Sequence, residues 1–294
     1  MSGILNSFVG SSYGTPPFAP TIGTATVTGA TTATVSYTAP TNDGGSTIIR
    51  YTATSSPGGV TGILTTSASG TITVSGLTPN TTYTFTVTAT NGAGTSAPSA
   101  ASNSIATYYA PVNTVAPVVS GSANYGSTLS TTTGTWTGLP TPGYSYQWQR
   151  SGSNIGGATS SSYTLVQADV GFTIRCVVTA TNVVGSSSAN SNSTAVVTAN
   201  VPSQITSVTA TNAGSYLGLG SANVSFTPPN DGGSPLISYI INYTGGPRTV
   251  PYGYSTYFID NLVLNAYYTF NVTPVNAVGN GPVSPDSNGI ITSP

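Results

Sequence analysis

Apolar and polar residues alternate with a period of two along much of the chain, and Gly, Pro, Asn or Asp interrupt the alternation at short intervals. The clearest runs are Tyr83, Phe85 and Val87; Ile174, Cys176 and Val178; and Tyr268, Phe270 and Val272. β-Branched and aromatic residues spaced in this way mark a strand with one buried face. Each run leads into the same pattern, T-x-x-N-x-x-G: TATNGAG from Thr88 to Gly94, TATNVVG from Thr179 to Gly185 and TPVNAVG from Thr273 to Gly279. The Asn-to-Gly segment reads as the turn that leaves a late strand. Asn91, Asn182 and Asn276 repeat at roughly the length of one sandwich domain. The pattern predicts an all-β chain with an arm over residues 1–14 and three modules over 15–110, 111–199 and 200–294.

The first and third modules match most closely around a glycine loop. ATVSYTAP leads into NDGGS in the first and ANVSFTPP into NDGGS in the third, so Val35 and Tyr37 correspond to Val224 and Phe226 as inward residues. After the loop, Ile49, Tyr51 and Ala53, like Ile237, Tyr239 and Ile241, are expected to alternate along the next strand. An acid beside two glycines could hold a ligand or could bend the backbone. A phosphate cradle needs a helix after the glycines, and a calcium loop needs several alternating oxygen ligands with a bidentate acid. Neither pattern is present. Asn and Asp side chains bond the backbone two residues on, and Gly accepts positive φ, so the loop is expected to be a bend.

Two resemblances sharpen the fold. SGLTPNTTYTFTVTATNGAG, from Ser75 to Gly94, resembles the E–F corner and F strand of a fibronectin type III domain, with Leu77, Pro79 and Tyr83 at its signature positions. The third module keeps Leu262 and Tyr268 but has Leu264 in place of the proline, and Tyr37 and Phe226 stand where the family carries a tryptophan. In this fold the corner tyrosine hydroxyl returns to the backbone. The stretch from Tyr144 to Asn182 resembles bacterial and phage immunoglobulin-like repeats, with Trp148 as the core tryptophan and Asp169, Gly171 and Cys176 as the D-x-G…C run. The resemblance implies that Trp148 meets Cys176 in the core and that Leu129 or a neighbour takes the place of the missing second cysteine. With short linkers, ATYYAPVNTVAP and TANVPSQI, the expected architecture is three tandem Ig-like and fibronectin type III β-sandwiches in an elongated rod.

Composition then narrows the chemistry. Only 3% of the 294 residues are charged: four Arg and five Asp, with no Lys, Glu or His, and a formal net charge of −1. Arg50, Arg150, Arg175 and Arg248 are scattered, so no basic cluster exists to displace counterions and nucleic acid is not expected as a partner. The absence of histidine removes the usual general base and metal ligand. Asp43, Asp169, Asp231, Asp260 and Asp286 lie apart in sequence, which argues against a paired-carboxylate site. No catalytic residue, cofactor or metal site is expected. Cys176, the single cysteine, reads as a core residue. No apolar run is long enough for a membrane span, and MSGILNSFVGSSYG lacks the basic region of a secretory signal.

Two segments are candidates for partner binding. In the arm, Ser2 can cap a short helix, Gly10 can end it, and Ile4, Leu5, Phe8 and Val9 share one face. So short a helix cannot stand alone in water; it folds on its own first module or docks into another subunit. In PYGYSTYF, Tyr252 and Tyr254 fall in a loop-like stretch among Ser, Thr and Gly, the composition of adaptable binding surfaces. The expected function is a non-enzymatic structural protein of a phage virion, decorating the capsid or associated with the tail. Its expected partners are other virion proteins and copies of itself, with weak contacts to host-surface glycans. The alternative is a glycan-binding adhesion protein of the bacterial surface or matrix.

Overall fold

Inward alternation of Tyr, Phe, Val and Ile gives each strand one apolar face, and pairs of sheets close over those faces. The computed structural model describes residues 14–294. Ile4, Leu5, Phe8 and Val9 of the expected arm lie outside the described residues. The chain divides into two compact units, one running to Val115 with 135–144 and 179–188, the other comprising 116–134, 145–178 and 189–294.

In the first unit, Thr21–Val27, Thr32–Thr38 and Gly70–Ser75 form one sheet in that order, and Thr61–Leu64, Arg50–Ser56, Thr82–Asn91 and Gly94–Thr95 form the other, with Ile105–Ala106 paired to the start of Thr82–Asn91. All pairings are antiparallel, with Val35 opposite Ile72 and Ala53 opposite Val87. Val35, Ile72, Phe85 and Val87 are fully buried between the sheets. Threonines fill most of the alternate positions and face outward. The same unit holds Tyr109–Val115 paired with Thr135–Leu139. More than half of the stretch expected as the first linker is therefore a strand, because its backbone groups find a partner edge.

In the second unit, Val208–Tyr216, Leu219–Phe226 and Thr256–Leu262 face Arg248–Pro251, Leu236–Asn242 and Asn271–Asn276. Val224, Phe226, Tyr239, Ile241, Phe270 and Val272 pack in one core. Between these sandwiches in sequence, Val119–Ser120, Thr128–Thr131 and Ser162–Thr164 make one sheet, and Ser153–Asn154, Gly143–Arg150, Ile174–Asn182 and Gly185–Asn190 another. Trp148, Leu129 and Cys176 are all fully buried, and the Trp148 indole N–H donates to the Ser160 carbonyl at 2.9 Å.

The expected alternation fails at its first residue in both glycine-loop strands. Ile49 and Ile237 are 53% and 57% exposed. In the first module the strand begins only at Arg50, so the residue before it is not bound by the pleat and Ile48 turns inward instead. In the third, a register shift between Leu236 and Ser238 reverses the faces and packs Leu236 against the core.

Both corner tyrosines close as the fibronectin resemblance implies. The Thr78 N–H donates to the Tyr83 hydroxyl and the Val263 N–H to the Tyr268 hydroxyl, each at 3.0 Å. Leu264 in place of proline does not alter that bond, since the hydroxyl is held by the backbone and not by the pyrrolidine ring.

Candidate functional site

The repeated asparagine does more than end a strand. Asn91 is buried; its Oδ1 accepts the Ala93 and Gly94 N–H groups at 2.9 and 3.0 Å. Its Nδ2 donates to the Thr15 carbonyl at 2.8 Å and the Asp43 carbonyl at 2.6 Å. One side chain thus ties together its own turn, the chain entering the module and the glycine loop. Asn276 repeats every part of this, accepting from Val278 and Gly279 and donating to the Asn200 and Asp231 carbonyls, both at 2.8 Å. Asn182 accepts from Val184 and Gly185 and donates to the carbonyls of Tyr109, 2.8 Å, and Pro140, 3.0 Å. An amide is the side chain for this task, because it offers two donors and an acceptor without the cost of burying a charge.

The glycine loops are bends. Asn42 accepts the Gly44 N–H at 2.8 Å and Asp43 the Gly45 N–H at 2.9 Å; Asn230 and Asp231 do the same for Gly232 and Gly233 at 2.8 and 2.9 Å. All four glycines have positive φ, between 73° and 83°. In each loop the Asp side chain caps the turn it belongs to, the local bond that suits Asp to such positions. Among the described residues no three His, Cys, Asp or Glu side chains gather closely enough to hold a metal ion.

Around the third module the clamp extends to a further residue, Tyr125, which the sequence did not single out. The Tyr125 N–H donates to the Thr198 carbonyl at 2.8 Å. Its carbonyl accepts from Asn200 Nδ2 at 3.0 Å, and its hydroxyl from Asn230 Nδ2 at 3.3 Å. A Cβ on Gly233 would stand 2.6 Å from the Tyr125 ring, so only glycine lets the ring settle there. An exposed-looking Tyr among Ser, Ala, Asn and Gly gives no pattern by which this contact could be read from the sequence.

Two ion pairs and the single thiol are held in place as well. Asp169, fully buried, accepts from Arg150 Nε at 2.7 Å, the Tyr163 hydroxyl at 2.8 Å and the Val166 N–H at 2.8 Å. Burial first, then the Asp169 hydrogen bond, pushes the Tyr163 phenol up to about 12. Arg248 pairs with Asp260 and holds its carboxyl below the usual carboxylate range. Burial pushes the Cys176 thiol up, away from the thiolate form in which cysteine reacts.

Tyr252 and Tyr254 lie between the strands Arg248–Pro251 and Thr256–Leu262 and are 50% and 68% exposed. Each has a different aromatic neighbour, Tyr239 for Tyr252 and Tyr257 for Tyr254. Tyr254 stands edge-on to Tyr257, with ring centroids 6.1 Å apart. Tyr252 lines an open groove of about 430 Å³ with Tyr125, Gln167, Asp231, Pro235 and Leu236.

These sheets, corners and clamps define a tandem β-sandwich protein. The model of the fibronectin type III domain matches residues 18–105 and 203–290, more than half of the chain, and the chain belongs to that family. Among solved structures, the FN1–FN3 domains of chicken CNTN1 are similar at 21% identity over 95% of this chain and 100% of that one, with a TM-score of 0.30. Three domains of titin are similar at 20% identity over 96% and 100%, with a TM-score of 0.31. No curated protein matches the chain.

Proposed function

We propose that the chain is a non-enzymatic structural protein of a bacteriophage virion, decorating the capsid or associated with the tail. In this reading fibronectin-like modules flank an immunoglobulin-like one in an elongated row, and the chain contacts other virion proteins and copies of itself. The observation that carries it is the set of three asparagine clamps. Each fastens the backbone entering a module to that module's own turns, which is a device for fixing where modules stand. A nearly uncharged surface adds little repulsion between copies packed closely together. The short connection TANVPSQI is itself held, with Asn200 N–H bonded to the Gly232 carbonyl at 2.8 Å. Mass spectrometry should find the chain in purified virions at a fixed ratio to the capsid protein; enrichment in washed host envelopes instead would defeat the proposal. Deleting residues 1–14 should release the chain from the particle with its modules still folded.

The groove beside Tyr252 favours a second reading, a surface or matrix adhesion protein that takes glycans there. An exposed aromatic ring next to amide and carboxylate groups can stack on a sugar and bond its hydroxyls. Oligosaccharide titrations that saturate and are lost in Tyr252→Ala, but kept in Tyr254→Ala, would support it.

A further inference from the structure

The two glycine loops are built alike but used differently. Thr15 N–H bonds the Gly44 carbonyl at 2.8 Å, as Asn200 N–H bonds that of Gly232 at 2.8 Å. The capping bonds and glycine dihedrals also agree. Yet the Tyr125 ring covers Gly233, whereas a Cβ on Gly45 would find no atom of the described residues within 4 Å. Asn42, Asp43 and Gly45 are exposed. The first module therefore carries the same receptacle with nothing described in it.

What fills the receptacle in the third module is the turn between the first two strands of the preceding module, at Tyr125 and Gly126. The corresponding turn of the first module is also engaged by the chain that follows it, with Tyr108 N–H bonded to the Gly29 carbonyl at 3.2 Å. The third module's turn is the hairpin joining Val208–Tyr216 to Leu219–Phe226. At its tip Leu217 is 88% exposed and has φ 52°, followed by Gly218 at φ 81°. Asn or Gly is favoured at such a position; leucine there brings strain and an apolar side chain in water. Leu219 and Val263, 42% and 65% exposed, flank the tip across the Gly220–Leu262 pair.

We propose that the third-module hairpin at Leu217 of one copy docks onto the Asn42–Gly45 loop of a second copy, repeating between chains the turn-on-loop contact that Tyr125 makes with Gly233 within one. The contact uses two different surfaces, so it need not close on a pair and can extend into strings of copies. It names the surface for the self-contacts of the virion reading, but it stands on the loop geometry and does not require a virion.

Sedimentation velocity of the full chain, from about 1 μM to about 1 mM to capture weak contacts, should show an average mass that rises steadily with concentration. Gly45→Asn tolerates positive φ but fills the receptacle; Leu217→Asn keeps the turn and removes the apolar tip. Each variant alone should remain a monomer, with the melting temperature of Leu217→Asn at or above that of the parent. Mixed in equal amounts, they should form a dimer of one copy of each and stop there, because each supplies the surface the other lacks. A parent chain that stays monomeric throughout, variants that associate as the parent does, or a mixture that remains monomeric while both variants melt cooperatively would each overturn the proposal. The outcome bears on self-association alone, since the chain's presence in virions is decided by the mass spectrometry above.

Discussion

The first and third modules share strand order, corner tyrosine, clamp asparagine and glycine loop, and they part company at the surface of that loop. In the third, Tyr125 lies on Gly233; in the first, no described residue lies on Gly45. The bend is thus a local property of N-D-G-G, while its use as a joint is conferred by whatever chain reaches it. The cores differ in a parallel way. Tyr51 and Tyr239 occupy the same strand position and are both fully buried, but the Tyr51 hydroxyl reaches the Ser67 carbonyl at 3.4 Å, while that of Tyr239 finds no hydrogen-bond partner among the described residues.

The largest test of what the modules share is the clamp. Asn91→Ala removes three donated and two accepted bonds and Asn276→Ala two of each, both at buried sites, and each should cost about 3 kcal/mol in urea denaturation of the full chain. A loss in only one module would break the equivalence. The glycines should separate the modules. Gly233→Ala must displace the Tyr125 ring as well as hold positive φ and should cost about 3 kcal/mol, whereas Gly45→Ala meets only the φ penalty of about 1 kcal/mol. Equal costs would mean that the Tyr125 contact contributes nothing.

Alkaline pH examines the tyrosines. Burial, then the neighbouring Tyr257 and Tyr252, pushes the Tyr239 phenol up to about 12 from 10.0. The folded state then holds its proton more tightly than the unfolded state. The associated stability is complete below pH 10 and is lost as pH rises from 10 to 12. Tyr239→Phe should flatten part of that decline and, by removing an unpaired buried hydroxyl, stabilise the chain at neutral pH by about 1 kcal/mol. Tyr51→Phe, which gives up a bond, should not stabilise. At the corner, Tyr83→Phe and Tyr268→Phe should each cost about 1 kcal/mol, measured by denaturation midpoint; a much smaller cost for Tyr268 would show that Pro79 has a part that Leu264 cannot play. The smallest effect is on metal: calcium should leave the melting temperature unchanged, in the parent chain and in Asp43→Asn with Asp231→Asn alike.

Much of the fold was legible because it depends on short-range pattern. Alternation placed Val35, Phe85, Cys176, Val224 and Val272 inside, and the T-x-x-N-x-x-G repeat located the same turn three times. The reading stopped short at Ile49 and Ile237, since the first strand begins one residue later and the other shifts register at its start, while Tyr51, Ala53, Tyr239 and Ile241 beyond them lie inside as expected. It also made a linker of Tyr109–Val115, whose pairing with Thr135–Leu139 depends on an edge some twenty residues away. The repeated asparagines were visible as a motif, but their task was not, because the carbonyls they hold come from segments up to 76 residues apart.

By itself the sequence determined what each short segment can do: alternate, bend at glycine, or offer an amide or hydroxyl. Those are preferences of the local backbone and of single side chains, and they act whatever surrounds them. Only the tertiary structure decided which bend became a joint, which tyrosine hydroxyl lost its partner and which carbonyls one asparagine would bind. Those outcomes follow from long-range closure, where the atoms that meet are chosen by how the sheets stack.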